Sequence, residues 1–338
     1  MKTREGDLIE TRAGIVFDVK GLVHPPDRVI AFIRYFPDEK GDRKRNRTTY
    51  GKVYSLSKRN ALLRERFPQY LVYDPVFDET LCEVPVADIE KHYKPVEKLK
   101  ELRSSEDLDP LASNALKFAE LLREEAGIPR ESVGISGSIL VGLQTSNSDV
   151  DLVIYGSENC RRAYSALRSM IRKKRMDVKA YSVEDLKRLF DFRSKDTDMR
   201  FEDFVRTESR KVMQGRFEGT DYFVRSVKNW GEIDENYGDI QYKNVGYSKI
   251  EAMVVGDSEA IFTPCTYTVE NVKFVEGPRF EPIEEIASFR GRFCEQASSG
   301  EKIFAQGKVE RVTNCKRNRG YFRLLAGNKP SDYIVPEN

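Results

Sequence analysis

The chain has 338 residues, enough for two or three domains that each bury a core, and its 39% hydrophobic and 11% aromatic content is that of a folded protein. Its 57 basic and 55 acidic residues nearly cancel, so a net charge of +2 excludes a global field for gathering nucleic acid, and any polyanion must meet a local patch. The charged start MKTREGDLIE and the lack of an apolar run of roughly 18 residues exclude a secretory signal and a membrane span, and five cysteines with no two at CxxC spacing make a zinc site or disulfide framework unexpected and a reduced cytoplasm the expected home.

From Asp7 to about Ser55 the pattern alternates as strands do, in DLIETRAGIVFDVKGLV and RVIAFIRYF, punctuated by Pro25-Pro26 and Pro37-Asp38. A helix, SLSKRNALLRERF, follows and stops at Pro68. Residues 82 to 107, with Pro85, Pro95 and charged runs, read as a connector holding a short helix. The clearest helix comes next. Asp109 can cap it, Pro110 suits its first turn, Leu111, Ala115, Phe118, Ala119 and Leu122 form its apolar stripe, and Gly127 suits a left-handed C-cap. VGIS then reads as a short buried strand, followed by Gly137-Ser138, a short ILVGL segment, a polar loop and the strand DVDLVIYG. An amphipathic helix turns Cys160, Tyr164, Leu167 and Ile171 inward, MDVKAYS returns as a strand, and residues 183 to 213 read as a charged helical stretch before a long strand, RFEGTDYFVRSVK. Beyond residue 245 the character is β, with turns rich in Gly and Asn.

The chemistry concentrates in GISGSILVGLQTSNSDVDLVIYG, residues 134 to 156. Residues two apart on a strand share a face, so Asp149 and Asp151 project together while Val150 and Leu152 anchor the other side. Two adjacent carboxylates repel unless cations lie between them, and a strand set in a core is the rigid support that a metal site needs. Ten residues separate Ser138 from Asp149. Gly137 lets the backbone approach a phosphate, Ser138 offers a hydroxyl and an amide, and ILVGL reads as a short helix favourable to an anion at its start.

A strand, Gly-Ser, a spacer of about ten, then Asp-hydrophobic-Asp-hydrophobic resembles the signature of the DNA polymerase beta-like nucleotidyltransferase superfamily. The resemblance implies that Gly137 and Ser138 contact the β- and γ-phosphates of an NTP and that Asp149 and Asp151 hold two Mg²⁺ ions. In-line displacement at the α-phosphate would then expel pyrophosphate. It also implies a third carboxylate on a neighbouring strand. Asp221, in the longer and more apolar strand where it shares a face with Phe223 and Arg225, is favoured over Asp177 in RMDVKAYS. FIRYFPD, YGKVYSLS, IFTPCTY and SFRGRFCEQA make the whole chain similar to predicted archaeal nucleotidyltransferases of unestablished acceptor.

Other features are weaker. Arg161 and Arg162, the run Arg172 to Arg175 and DRKRNR at 42 to 47 read as solvated charge. SFRGRF sets Arg290 and Arg292 between aromatics on a β framework, an arrangement that suits single-stranded nucleic acid. Trp230 reads as core packing, and His24 and His92 have no partners at metal-ligand spacing. The expected fold is α+β: a β-rich N-terminal domain with helices (1–106), a mixed-sheet nucleotidyltransferase catalytic core (107–245) and a β-rich C-terminal domain able to close as a barrel (246–338). The expected function is Mg²⁺-dependent transfer of NMP from an NTP to a hydroxyl of RNA, with tRNA in view. Transfer to a small molecule or protein, and a catalytically inactive nucleotide- or RNA-binding module, are the alternatives.

Overall fold

In the computed structural model, which describes residues 1–173, 177–194 and 199–337, three sheets follow one another along the chain, giving the α+β class. The alternating N-terminal stretches form β1 (Leu8–Thr11), β2 (Val16–Val19) and β3 (Arg28–Pro37), and a basic hairpin follows as β4 (Arg43–Arg45) and β5 (Thr48–Lys52). Helix α1 (Leu56–Arg66) is capped by Ser55, whose side chain accepts from the Lys58 amide, and it ends ahead of Pro68. The stretch 82 to 107, expected as a connector holding a short helix, holds that helix and in addition the end of one strand and the whole of another. β6 (Leu71–Asp74), β7 (Glu79–Pro85) and β8 (Ile89–Tyr93) complete the first, eight-stranded sheet before α2 (Pro95–Ser104). Its prolines do not interrupt these elements, because Pro85 closes a strand and Pro95 opens a helix, positions that need no N–H.

Helix α3 (Pro110–Ala126) has the expected Asp109 cap, the left-handed Gly127 and the buried stripe. Then come β9 (Val133–Ile135), the short α4 (Gly137–Leu140), β10 (Val150–Tyr155), α5 (Ser157–Arg172), β11 (Val178–Lys179), α6 (Val183–Arg193), α7 (Phe201–Glu208), β12 (Gln214–Phe217) and β13 (Thr220–Val227). The central sheet runs β11-β12-β13-β10-β9, mixed because β10 and β13 are parallel. Two expectations change here. The charged stretch from 183 is two separate helices ending at Glu208, and residues 195–198 lie outside the described residues. The long strand over RFEGTDYFVRSVK is a hairpin, since Glu218 and Gly219 both take positive φ (45° and 84°), the twist that a two-residue turn between strands requires.

Helices α3 and α5 cover one face of this sheet with a core that includes Val150, Leu152, Ile154, Tyr222 and Val224. Alternation therefore presents Asp149, Asp151 and Val153, together with Asp221, Phe223 and Arg225, on the other face. The first sheet leans over that face: Leu8, Val16, Tyr35 and Tyr50 pack against Leu140, Val141 and Leu143.

The third sheet comprises β14 (Ile240–Gly256), β15 (Cys265–Glu276), β16 (Ile283–Ser288), β17 (Lys302–Asn314), β18 (Arg319–Leu325) and β19 (Tyr333–Pro336). Strand β14 pairs with both β15 and β17, so the order β14-β15-β16-β18-β17 closes on itself as a five-stranded barrel, with β19 added on β17. Among the described residues, no helix is long and apolar enough to cross a membrane.

Candidate active site

The bend after β9 and the start of β10 are brought together by strand pairing. Ile135 lies opposite Leu152, and the Ser136 amide donates to the Asp151 carbonyl at 2.8 Å. Gly137 follows with φ +62°, and a Cβ placed there would fall 1.9 Å from Asp151 Oδ2, so only glycine lets bend and carboxylate meet. Ser138 is 3% exposed and its Oγ has no hydrogen-bond partner. A buried hydroxyl left in that state costs roughly 1–3 kcal/mol unless a ligand atom completes it. Ser136 Oγ donates to the Gly6 carbonyl at 2.7 Å, which ties the bend to the N-terminal segment.

Asp149 is exposed at the mouth and Asp151 is half-buried behind it. Burial and the neighbouring charge of Asp149 push the Asp151 carboxyl up to about 7, against the pull of Arg225, Arg34 and Lys52. These cations differ in how far they are already neutralised. Arg225 pairs with Glu5, a fully buried carboxylate that also accepts from Lys20 Nζ at 2.8 Å and from the Gly21 amide at 2.8 Å. Lys20 meets Asp18 at 3.0 Å and Arg225 meets it at 3.9 Å, so two acids and two bases form a closed set. Burial alone would raise the Asp18 carboxyl, yet Lys20, Arg225 and Arg34 outweigh it and hold the group well below the usual carboxylate range.

Arg34 faces the carboxylates by strand alternation, since Val29, Ala31 and Ile33 turn to the first sheet's own core. Val16 pairs with Tyr35 and Phe17 with Ile33, so a β-bulge follows and brings Tyr35 onto the same face as Arg34. Lys52, opposite Tyr35 at the end of β5, has its ammonium 4.7 Å over the Tyr54 ring. Burial pushes the Lys52 amine down to about 8, Arg34 and Arg43 acting in the same direction, while Asp149 and Asp151 oppose.

The expected third carboxylate is placed by the sheet register. Val150 pairs with Tyr222 in parallel, so one step back Asp149 and Asp221 stand side by side. Asp221 is half exposed and meets Arg216 at 3.3 Å; burial raises its carboxyl, Arg216 opposes, and Asp149 adds to the rise. Asp177 precedes β11 at the far edge of the sheet, three interstrand steps or roughly 14 Å from β10. Among the described residues, no three His, Cys, Asp or Glu side chains are gathered at ligating distance.

Several weaker expectations are corrected. DRKRNR is not free solvated charge: Arg43 is buried and donates to the Leu143 carbonyl at 2.6 Å and Ser148 Oγ at 3.2 Å, and Arg45 donates to the Val141 carbonyl at 3.2 Å. Both clamp the segment that follows Gly-Ser. SFRGRF is the end of β16 followed by a tight turn, Gly291–Phe293, and a Cβ on Gly291 would lie 2.7 Å from Phe223, the residue paired with Asp151. Trp230 is only partly buried, with the Lys2 ammonium 4.6 Å over its ring. Arg161 pairs with Glu259 at 3.3 Å, and Lys174 and Arg175 lie outside the described residues.

Sequence reasoning missed Arg34, Lys52 and the Glu5–Asp18–Lys20 group. An arginine inside the apolar run RVIAFIRYF was the available signal for Arg34, since a charge in a buried strand needs a partner.

The donor set, carboxylate oxygens with an orphaned hydroxyl beside them, suits a hard divalent cation carrying phosphate oxygens. Comparison with known proteins finds likenesses to one family and one relative. The family described as Nucleotidyltransferase domain matches residues 116–216, a span that holds the Gly-Ser bend and both aspartates and stops before Asp221. An uncharacterized protein of Methanocaldococcus jannaschii is 34% identical over 335 residues, covering 97% of this chain and 96% of the relative. No solved structure matches.

Proposed function

The chain belongs to the nucleotidyltransferase-domain family, and from that membership we propose that it moves an NMP from an NTP to a hydroxyl group of RNA, releasing pyrophosphate. The observation that carries the reading is the contact of Gly137 with Asp151, which leaves room for nothing but a bare backbone between the bend and the carboxylate. Asp149 and Asp151 would hold magnesium, with Asp221, freed from Arg216, as the third carboxylate. When bound, two Mg²⁺ ions stabilise the charge that develops on the transferred and leaving phosphates. Ser138 Oγ and the bend amides donate to the terminal phosphates. Asp221 accepts the proton of the attacking hydroxyl, whose oxygen bonds to the α-phosphorus as the bond to the bridging oxygen breaks.

The RNA acceptor is supported by the turn that carries Arg290 and Arg292, because it adjoins Phe223 and hence the carboxylate strand. A closed barrel is also an architecture on which oligonucleotide-binding folds are built. Its β15 and β16 strands, however, carry Glu270, Glu276, Glu284 and Glu285, so the turn, not the strand face, is the surface suited to a polyanion.

The test incubates the protein with each labelled NTP, Mg²⁺ and bulk cellular RNA. Label on RNA is the expected result. Label on the protein or on small molecules would overturn the RNA acceptor, and nucleotide binding without transfer would overturn catalysis. Asp149→Ala should reduce transfer at least about a thousandfold with an unchanged melting transition, as loss of a preorganised electrostatic group does; activity within tenfold of wild type would contradict the assignment.

A further inference from the structure

We propose that Arg34 and Lys52, both supplied by the N-terminal sheet, form with the Gly137-Ser138 bend a binding site for a condensed phosphate chain, the triphosphate of the donor nucleotide. This rests on the transferase reading above but goes beyond it, since both residues lie outside the stretch that the family covers.

Three observations converge. The first is charge. Glu5 and Asp18 are already matched by Lys20 and Arg225. Among the described residues, Arg34 and Lys52 stand in no salt bridge; Asp18 is the strongest charge acting on Arg34, and both cations act on Asp149 and Asp151. With a cation on those two carboxylates, Lys52 would lose both of its acidic neighbours and Arg34 would keep only Asp18, which Lys20 and Arg225 already share, so the pair has charge to offer an anion. A triphosphate brings about four negative charges to that point, whereas a phosphodiester brings one per nucleotide.

The second is placement. Alternation on β3 turns Val29, Ala31 and Ile33 into the first sheet's own core and Arg34 to the opposite face, and the bulge that follows brings Tyr35 onto that same face, so the cation stands beside the ring that seats on the central domain. The third is rigidity. Tyr35 and Tyr50, which flank the two cations on β3 and β5, pack on Leu140, Val141 and Leu143 directly after the bend, and Arg43 and Arg45 hold the carbonyls of that same segment. The distance between the cations and the orphaned Ser138 hydroxyl is thus fixed by a buried interface, as a preorganised anion site requires.

Binding of inorganic tripolyphosphate in the presence of Mg²⁺, measured by calorimetry on the full chain, tests the proposal without any turnover. Arg34→Gln and Lys52→Gln should each weaken binding about tenfold, the double substitution about a hundredfold, and Arg34→Lys with Lys52→Arg should recover most of it. A triphosphate-free RNA oligonucleotide serves as the second probe and should bind all variants alike. Wild-type affinity for tripolyphosphate in the double variant overturns this proposal alone, as does a loss confined to the oligonucleotide. A wild-type protein that binds neither tripolyphosphate nor any NTP overturns it together with the reading it rests on. Melting curves accompany each variant, and if Arg34 variants fail to fold, Lys52→Gln at the half-exposed strand end carries the test.

Discussion

In the proposed site Asp151 answers to two competing ligands, a proton and a metal ion. Its carboxyl sits at about 7 in the folded chain, against about 3.9 for a free aspartate, chiefly because it is buried beside another carboxylate. A raised folded value means that the native state keeps the proton longer. The stabilisation is therefore present in full below about pH 4 and is lost as pH rises through about 7. Asp151→Asn should leave the metal-free melting temperature unchanged near pH 4 and raise it at pH 8; a difference independent of pH would contradict this account. On the proposed reading magnesium displaces that proton, so its apparent affinity should fall about tenfold for each pH unit below 7.

At the scale of elements, the basic hairpin of β4 and β5 acts as a clamp. Arg43→Ala removes the donor to the Leu143 carbonyl and to Ser148, and should destabilise the chain by about 1–3 kcal/mol in urea unfolding. Arg47→Ala, in the exposed turn of the same hairpin, should change stability by less than about 0.5 kcal/mol. Equal effects would remove the clamp from the account. The hairpin also shows where reading a sequence stops. Capped helices, Gly-Ser and the Asp149/Asp151 pair were legible because each is set by residues within about a dozen positions of one another. DRKRNR looked like solvent-facing charge because its partners, Val141 and Leu143, lie about a hundred residues away. The bulge at Arg34 was illegible for a related reason: strand register is a property of two segments, and one segment shows only its own alternation. The hairpin at Glu218-Gly219 was hidden by a strand pattern continuing on both sides of the turn.

Taken whole, the molecule surrounds one face of a five-stranded sheet with two further sheets, and the proposed acceptor side is the one formed by the barrel. Arg290→Ala together with Arg292→Ala should weaken binding of single-stranded RNA about tenfold and lower the slope of log affinity against log salt by about 2, without altering tripolyphosphate binding. An unchanged slope would count against the Gly291 turn as the RNA surface. The arrangement also separates motif from chemistry in time. Ser136 is tied to Gly6 across 130 residues, Arg43 to Leu143 across 100, and Gly291 meets Phe223 from the barrel. During translation the first sheet emerges from the ribosome long before its partners exist, so its Tyr35–Tyr50 face must await the segment after the Gly-Ser bend, and the proposed cleft must await the turn at Gly291. A nascent chain halted after residue 216 would display every residue of the recognised motif and still lack Arg225, Asp221 and the arginine turn. On the proposed assignment of these residues, competence for transfer is acquired late in biosynthesis, after the third sheet has closed.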